Sequence, residues 1–331
     1  MLSKLKMNTS LCPDGGSMKA LLFALFGLMS ICLTVQAYAQ ESELELDIEQ
    51  IRPLEKGMKP GTIAYVLVDQ LHPTQPQTGK REVERKIKNL KSKLKSNGQK
   101  FSKDFFKEMI DQMAPVYLAK TPQGDSRVGK YDFLAYLTDR HHGADAMSQL
   151  YKELYGKQGR HEVFVDDKGR ALNVMLVRVV EDKTDLNEKE FSEFMVKNNR
   201  GFFEIWSEGS KGETRIDVLK FNQLPTHIWD TTDNPYRSVI GDLQKQKHLE
   251  KLNFEFSQFY LAKELVQAEV LQWQDISLSA SDQDYEAGLE KAQIFFDENK
   301  DEIIDRLKKK YEKPNPSGTQ VCEKIFRTSG L

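Results

Sequence analysis

Phe133-Leu-Ala-Tyr-Leu137, then Thr138-Asp139-Arg140-His141-His142-Gly143, then Ala144-Asp145-Ala146-Met147: the fold of this chain is decided in that stretch. The first block is a short apolar run, as in a buried strand. Beyond the polar junction, Met147, Leu150, Tyr151 and Leu154 mark a helix. The first N–H groups of a helix have no intrahelical acceptor and lie at the positive end of its dipole, so a junction of this kind favours an anion. If the helix begins near His141, Asp145 lies one turn further on the same face. A carboxylate there can orient an imidazole and raise its basicity.

Working outward, Thr62–Val68 reads as a β-branched strand, and Pro73 and Pro76 force an extended loop. Val83, Ile87, Leu90 and Leu94 form one apolar stripe on a helix that starts at Lys80 and stops at Asn97-Gly98. Phe101–Met113 is expected as a short helix, Pro115–Ala119 as a strand and Thr121–Lys130 as a turn-rich loop. Two more strands, His161–Val165 and Ala171–Val179, flank a turn at Asp166–Gly169.

Past Asp182 the pattern becomes mainly helical. Asn187 and Glu190 form a capping box, helices are expected near 236–247 and 254–271, and Ser281 caps a charged helix running towards Pro314. The expected class is α+β: an α+β domain over 58–180, a helical half over 181–275, and a charged C-terminal helix and tail over 276–331.

Composition narrows the setting. The chain has 331 residues, 48 Lys+Arg against 50 Asp+Glu, and 39% hydrophobic residues, which excludes a disordered chain and a polytopic membrane protein. Residues 18–39 carry a positive start, an apolar run and Ala37-Tyr38-Ala39, the pattern of a secretory signal peptide cut before Gln40, with Met18 as the natural start. The expected location is therefore periplasmic or secreted, with no membrane span after cleavage. The mature chain of 292 residues would carry a net charge of −4 and one cysteine, Cys322, so no internal disulfide can form. Residues 40–57 read as an acidic, solvated arm.

Three stretches together carry a family resemblance: Leu71-His-Pro-Thr-Gln75 with Gly79 and Glu82; Pro115-Val116 leading to Tyr136-Leu-Thr-Asp139-Arg-His-His142; and Asp233-Asn-Pro-Tyr-Arg-Ser238 with Phe254-Glu-Phe256. Their order and spacing resemble the ParB-like nuclease family of the ParB/sulfiredoxin superfamily, over roughly residues 62–268. The resemblance implies a small mixed sheet whose strand-to-helix junction binds phosphate or a nucleotide. It also implies that the reactive cysteine position of sulfiredoxins is His141 here, which excludes sulfinic acid reduction. The superfamily's phosphate-gripping arginine position is Gly143, which leaves Arg140 to substitute.

On this reading His141 and His142 are the acid/base candidates, with Asp139 or Asp145 as orienter. Arg140, Thr74, Gln75 and Lys86 are the phosphate contacts. Glu82 and Lys86 read as a helix brace, and Asp233–Ser238 as an architectural turn. No His/Cys/Asp/Glu set has zinc-type spacing, although a divalent ion such as Mg²⁺ could be shared between Asp139 and a substrate phosphate. Residues 80–107 hold 11 Lys/Arg against three acids, either a phosphate-backbone face or the solvated side of an amphipathic helix. The expected function is phosphodiester hydrolysis of nucleic acid or nucleotides outside the cytoplasm. The alternative is a non-catalytic ligand- or protein-binding module, with a protein partner on the acidic arm or the last helix. A nucleoside-triphosphate switch or kinase is not expected, because the leader carries the chain away from such nucleotides.

Overall fold

A computed structural model describes residues 51–95, 109–110, 113–165 and 172–312. In chain order the elements are β1 (Arg52–Pro53), β2 (Ile63–Leu67), β3 (Leu71–His72), β4 (Gln77–Thr78), α1 (Lys80–Lys95), β5 (Ala114–Lys120), β6 (Phe133–Leu137), α2 (His141–Tyr155) and β7 (Val174–Asp182). They continue as α3 (Glu188–Lys197), β8 (Glu204–Glu208), β9 (Thr214–Val218), β10 (Thr232–Asp233), α4 (Pro235–Lys245), α5 (Ser257–Gln267), α6 (Trp273–Ile276) and α7 (Asp282–Tyr311). The α+β class holds.

The main sheet is mixed and runs β1-β2-β7-β5-β6-β3. Three of its five pairings are parallel, β1 with β2, β7 with β5, and β6 with β3. One face packs on α1 and α2: Ala64, Val66, Val116, Leu118, Ala135 and Leu137 meet Val83, Ile87, Leu90, Met147 and Leu150 in a single core. The other face, through Tyr117, Leu134 and Tyr136, packs on Phe191 and Met195 of α3. Alternation along β5 and β6 is what serves both cores. A third core joins α4, α5, α6 and α7 to Phe202 and Trp206.

Several local expectations hold to the residue. Asn187 and Glu190 close the capping box on α3, and the Ser281 side chain accepts from the Asp284 amide at the start of α7. Others need correcting. Residues 51–57 are not wholly a solvated arm, because β1 lies parallel to β2 and Leu54 is buried in the core. His161–Val165 is not a strand. The Asn173 side chain takes the Phe164 amide and donates to the carbonyls of Gly159 and Glu162, so a side chain satisfies backbone that would otherwise need a ladder. The helical half also contains the antiparallel hairpin β8–β9, which turns at Gly209–Gly212.

The leader, residues 40–50, the Asp166–Gly169 turn, the tail with Cys322 and most of the Phe101–Met113 helix lie outside the described residues. Among the described residues no helix is long and apolar enough to cross a membrane.

Candidate functional site

The junction between β6 and α2 sits beside the starts of two other helices. Gly79, just before α1, is wedged between α2 and α4. A Cβ on it would lie 2.6 Å from the Ser238 hydroxyl and 3.3 Å from Nε2 of His142, so only glycine fits without a shift. The Gly79 amide donates to Nε2 of His142 at 2.9 Å, and the Lys80 amide donates to Oδ1 of Asp233 at 2.8 Å. Asn234 caps α4 by accepting from the Arg237 amide. Gln77 ties the neighbourhood together: its Nε2 donates to the carbonyls of Trp206 and Asp233, and its Oε1 accepts from the Trp206 amide.

The two histidines open α2 and are buried. Nε2 of His141 accepts from the Thr74 amide at 3.2 Å, much as His142 accepts from Gly79. Burial, reinforced by the positive charge of Arg237, holds both rings far below the ordinary imidazole range. They are therefore neutral, with Nε2 already committed to a main-chain amide. That arrangement revises their expected role: as they stand they pin the loop 72–79 to α2 and have no lone pair at Nε2 to spare for a substrate proton.

Asp145 changes role too. It lies on the expected face but reaches no imidazole. Oδ2 takes Nζ of Lys80 at 2.7 Å and the Thr78 hydroxyl, and Oδ1 takes Gln149. Asp139 is exposed, and its Oδ1 accepts from the Arg140 amide at 2.6 Å. Arg140 is the N-cap of α2 in the left-handed region, φ 64°, a strained setting for a non-glycine residue. Thr74 is fully buried, and its hydroxyl donates to the Leu137 carbonyl. Gln75 donates only to the Gln77 carbonyl. Thr74 and Gln75 thus satisfy backbone. Lys86 is half-buried on α1, and its charge helps to depress His142.

Three residues outside the candidate site set read from the sequence are Arg237, Glu82 and Glu255. Arg237 is 7% exposed and lies in the stretch expected to be purely architectural. Its Nη2 donates to Oε1 of Gln258 at 2.7 Å, and its guanidinium sits 4.2 Å from the centre of the Phe259 ring. Nε and Nη1 have no hydrogen-bond partner among the described residues. Burial lowers its pKa to about 10, opposed by the charges of Glu82 and Asp139.

Glu82 turns away from the expected brace, placing Oε2 3.5 Å from Nε2 of His142, and that oxygen is buried without a hydrogen bond. Gly241, one turn after Arg237, makes the room, since a Cβ there would lie 3.0 Å from the same oxygen. Glu255 gives Oε1 to Arg200 at 2.5 Å and leaves Oε2 unpartnered. Burial raises its pKa to about 7, with Arg200 pulling the other way. The one available signal for Arg237 was an arginine directly after an Asn-Pro helix start, but nothing in the sequence says which way its side chain packs.

Orphaned donors on the buried Arg237, with the orphaned oxygen of Glu82 acting on the same charge, describe a polar site that the described residues do not complete. Residues 64–267 match the family described as "Putative ParB-like nuclease". The chain belongs to that family. Protein Atu1540 from Agrobacterium tumefaciens, known from a crystal structure, is similar at 22% identity and a TM-score of 0.45, over 71% of this chain and 91% of that one. No curated protein matches the sequence. Among the described residues no group of three or more His, Cys, Asp or Glu could hold a metal ion, so an Mg²⁺ at Asp139 would take most of its ligands from substrate and water.

Proposed function

We propose that this member of the ParB-like nuclease family is an exported phosphodiesterase acting on nucleic acid or nucleotides, with Arg237 as the phosphate clamp. The observation that carries the reading is the buried guanidinium with two unpartnered nitrogens, Nε and Nη1, among the described residues. An anion there would pair both donors and offset the cost of burying the charge. The uncapped start of α2, with His141, His142 and Gly143 contributing amides, adds a second source of positive potential.

Phosphodiester hydrolysis needs a base for the attacking water, a donor for the leaving oxygen and a cation for the charge built up on the phosphate oxygens. Arg237 supplies the cation. Glu82 has a free oxygen for a water proton, and Glu255, with a pKa near 7, carries a proton into neutral solution for the leaving group. His141 and His142 position the loop and the start of α1. Arg140 and Lys86 remain the candidates for guiding substrate to the mouth. The signal-peptide pattern at Met18–Ala39 supports an activity in the periplasm or beyond it.

The test is turnover by purified residues 40–331 on bis-(p-nitrophenyl) phosphate, single-stranded DNA, RNA and nucleotides, with and without Mg²⁺ or Mn²⁺. Wild type should release product, and Arg237→Met and Glu82→Gln should not. If wild type is as inert as both variants on every substrate, the enzyme reading is lost. A second reading, a phosphate-binding module without catalysis, is favoured by the deep burial of Arg237 and both histidines. It predicts phosphate binding that requires Arg237, with no turnover.

A further inference from the structure

The sheet face opposite α1 and α2 carries a second feature that the phosphodiesterase reading does not use. Between β6, α3 and the segment around Phe221–Thr226 lies a cavity of about 270 Å³. Its wall is aromatic: His72, Tyr136, Phe191 and Phe221 all line it. His72 and Tyr136 are register partners on the neighbouring strands β3 and β6, and their rings stack at 4.5 Å. Phe191 and Phe221 also pack on Tyr136, with ring centres at 4.7 and 5.9 Å.

Two polar atoms in this wall have no partner within the described protein. His72 is 6% exposed, and its Nδ1 is bonded to the Pro73 carbonyl at 2.8 Å, so Nδ1 carries the proton and Nε2 is left as an open acceptor. Tyr136 is 1% exposed, and among the described residues its hydroxyl makes no hydrogen bond. Both side chains are more than nine-tenths buried, and neither polar atom is among the fully buried ones that lack a partner, so each keeps access to the cavity. Both are also uncharged at neutral pH. Burial, with help from Arg127, brings His72 down to about 4, and burial pushes the Tyr136 phenol up. The nearest buried charge, Asp125, is already spent on Arg127.

We propose that this cavity binds an uncharged, planar heteroaromatic ring, of nucleobase or nicotinamide type, that stacks on the aromatic wall and accepts from Tyr136 while donating to His72. The volume holds a single- or double-ring heterocycle. Lys120 and Glu188 also line the cavity, but both are exposed to solvent and opposite in sign, so a net charge on the ligand gains little from them once its hydration is lost. A plain hydrocarbon ring would leave both polar atoms unpaired. The site stands apart from Arg237 and does not depend on the hydrolytic reading.

Ligand-observed NMR and calorimetry on residues 40–331 with adenine, cytosine and nicotinamide test it, with benzoate and benzene as the charged and the apolar controls. At least one heterocycle should bind with a Kd below about 1 mM. Tyr136→Phe keeps the ring and removes only the hydroxyl, and it should weaken binding about tenfold. Thr226→Trp, on the exposed rim, should block the mouth with the fold intact by circular dichroism. Three results would overturn the proposal: no binding of any heterocycle at 10-millimolar concentration (~10 mM, some tenfold above the expected Kd), binding unchanged in both variants, or binding of benzene or benzoate as tight as that of the heterocycles.

Discussion

Two arginines are buried in this molecule, and they are treated in opposite ways. Arg127, 3% exposed, uses all three of its nitrogens: Nε and Nη2 grip the two oxygens of Asp125 at 2.8 and 2.7 Å, and Nη1 reaches the carbonyls of Asp69 and Leu71. Arg237, 7% exposed, has one side-chain hydrogen bond, to a neutral glutamine, and two nitrogens with no hydrogen-bond partner among the described residues. Both carry a similar desolvation cost, but only Arg127 recovers it within the chain. A satisfied buried charge holds the turn after β5 against β3. An unsatisfied one is a cost that only a ligand can offset.

Breaking the first arginine should produce the largest effect. Arg127→Met leaves Asp125, with only 2% of its side chain exposed, as an uncompensated buried carboxylate. Urea unfolding should show a loss of about 3–5 kcal/mol. Arg237→Met should do the reverse. Phosphodiester turnover or phosphate affinity falls about 100-fold, equivalent to about 2.7 kcal/mol, while the unfolding midpoint stays level or rises because a buried charge with unfilled hydrogen bonds has gone. A variant that lost stability in parallel with function would collapse the contrast between the two residues.

A buried carboxylate, Glu255, sharpens the comparison through pH. Glu255 is raised from 4.5 to about 7, so between those values the folded state holds a proton that the unfolded state has released. Its contribution to stability is complete below pH 4.5 and is lost as pH rises to about 7, with a total of about 2 kcal/mol after allowance for its partial exposure. Unfolding curves across that window should show the decline in wild type and a flatter profile in Glu255→Gln. The smallest effect belongs to Gly241→Ala. Alanine favours the helix by about 1 kcal/mol, but its Cβ must displace Oε2 of Glu82 from His142. Thermal stability should rise by a degree or more as turnover falls.

Much of this architecture was readable because its causes are local. The strand Phe133–Leu137, the stripe Val83–Leu94 on α1 and the Asn187 and Ser281 caps depend on residues within a turn or two of one another. The β8–β9 hairpin was also readable, from Ile216, Val218 and the glycines at 209 and 212, yet the surrounding helical pattern masked it. His161–Val165 misled for the opposite reason. Its local pattern favours a strand, and Asn173 overrules it from outside the segment.

What the sequence determined alone is the α+β class, the junction at Thr138–Gly143 and the membership of the family that these motifs carry. Each follows from short-range periodicity or from a motif with fixed spacing. Which polar residues are left without partners was decided only by the tertiary structure. His141 and Asp145 carry the residue types of a catalytic pair, but packing gives the first to Thr74 and the second to Lys80. Arg237 and Glu82 are far apart in sequence, and they share a site because Gly79 and Gly241 let α1 and α4 approach closely. Hydrogen-bond saturation is a property of the whole packed neighbourhood, so no reading of one segment can supply it.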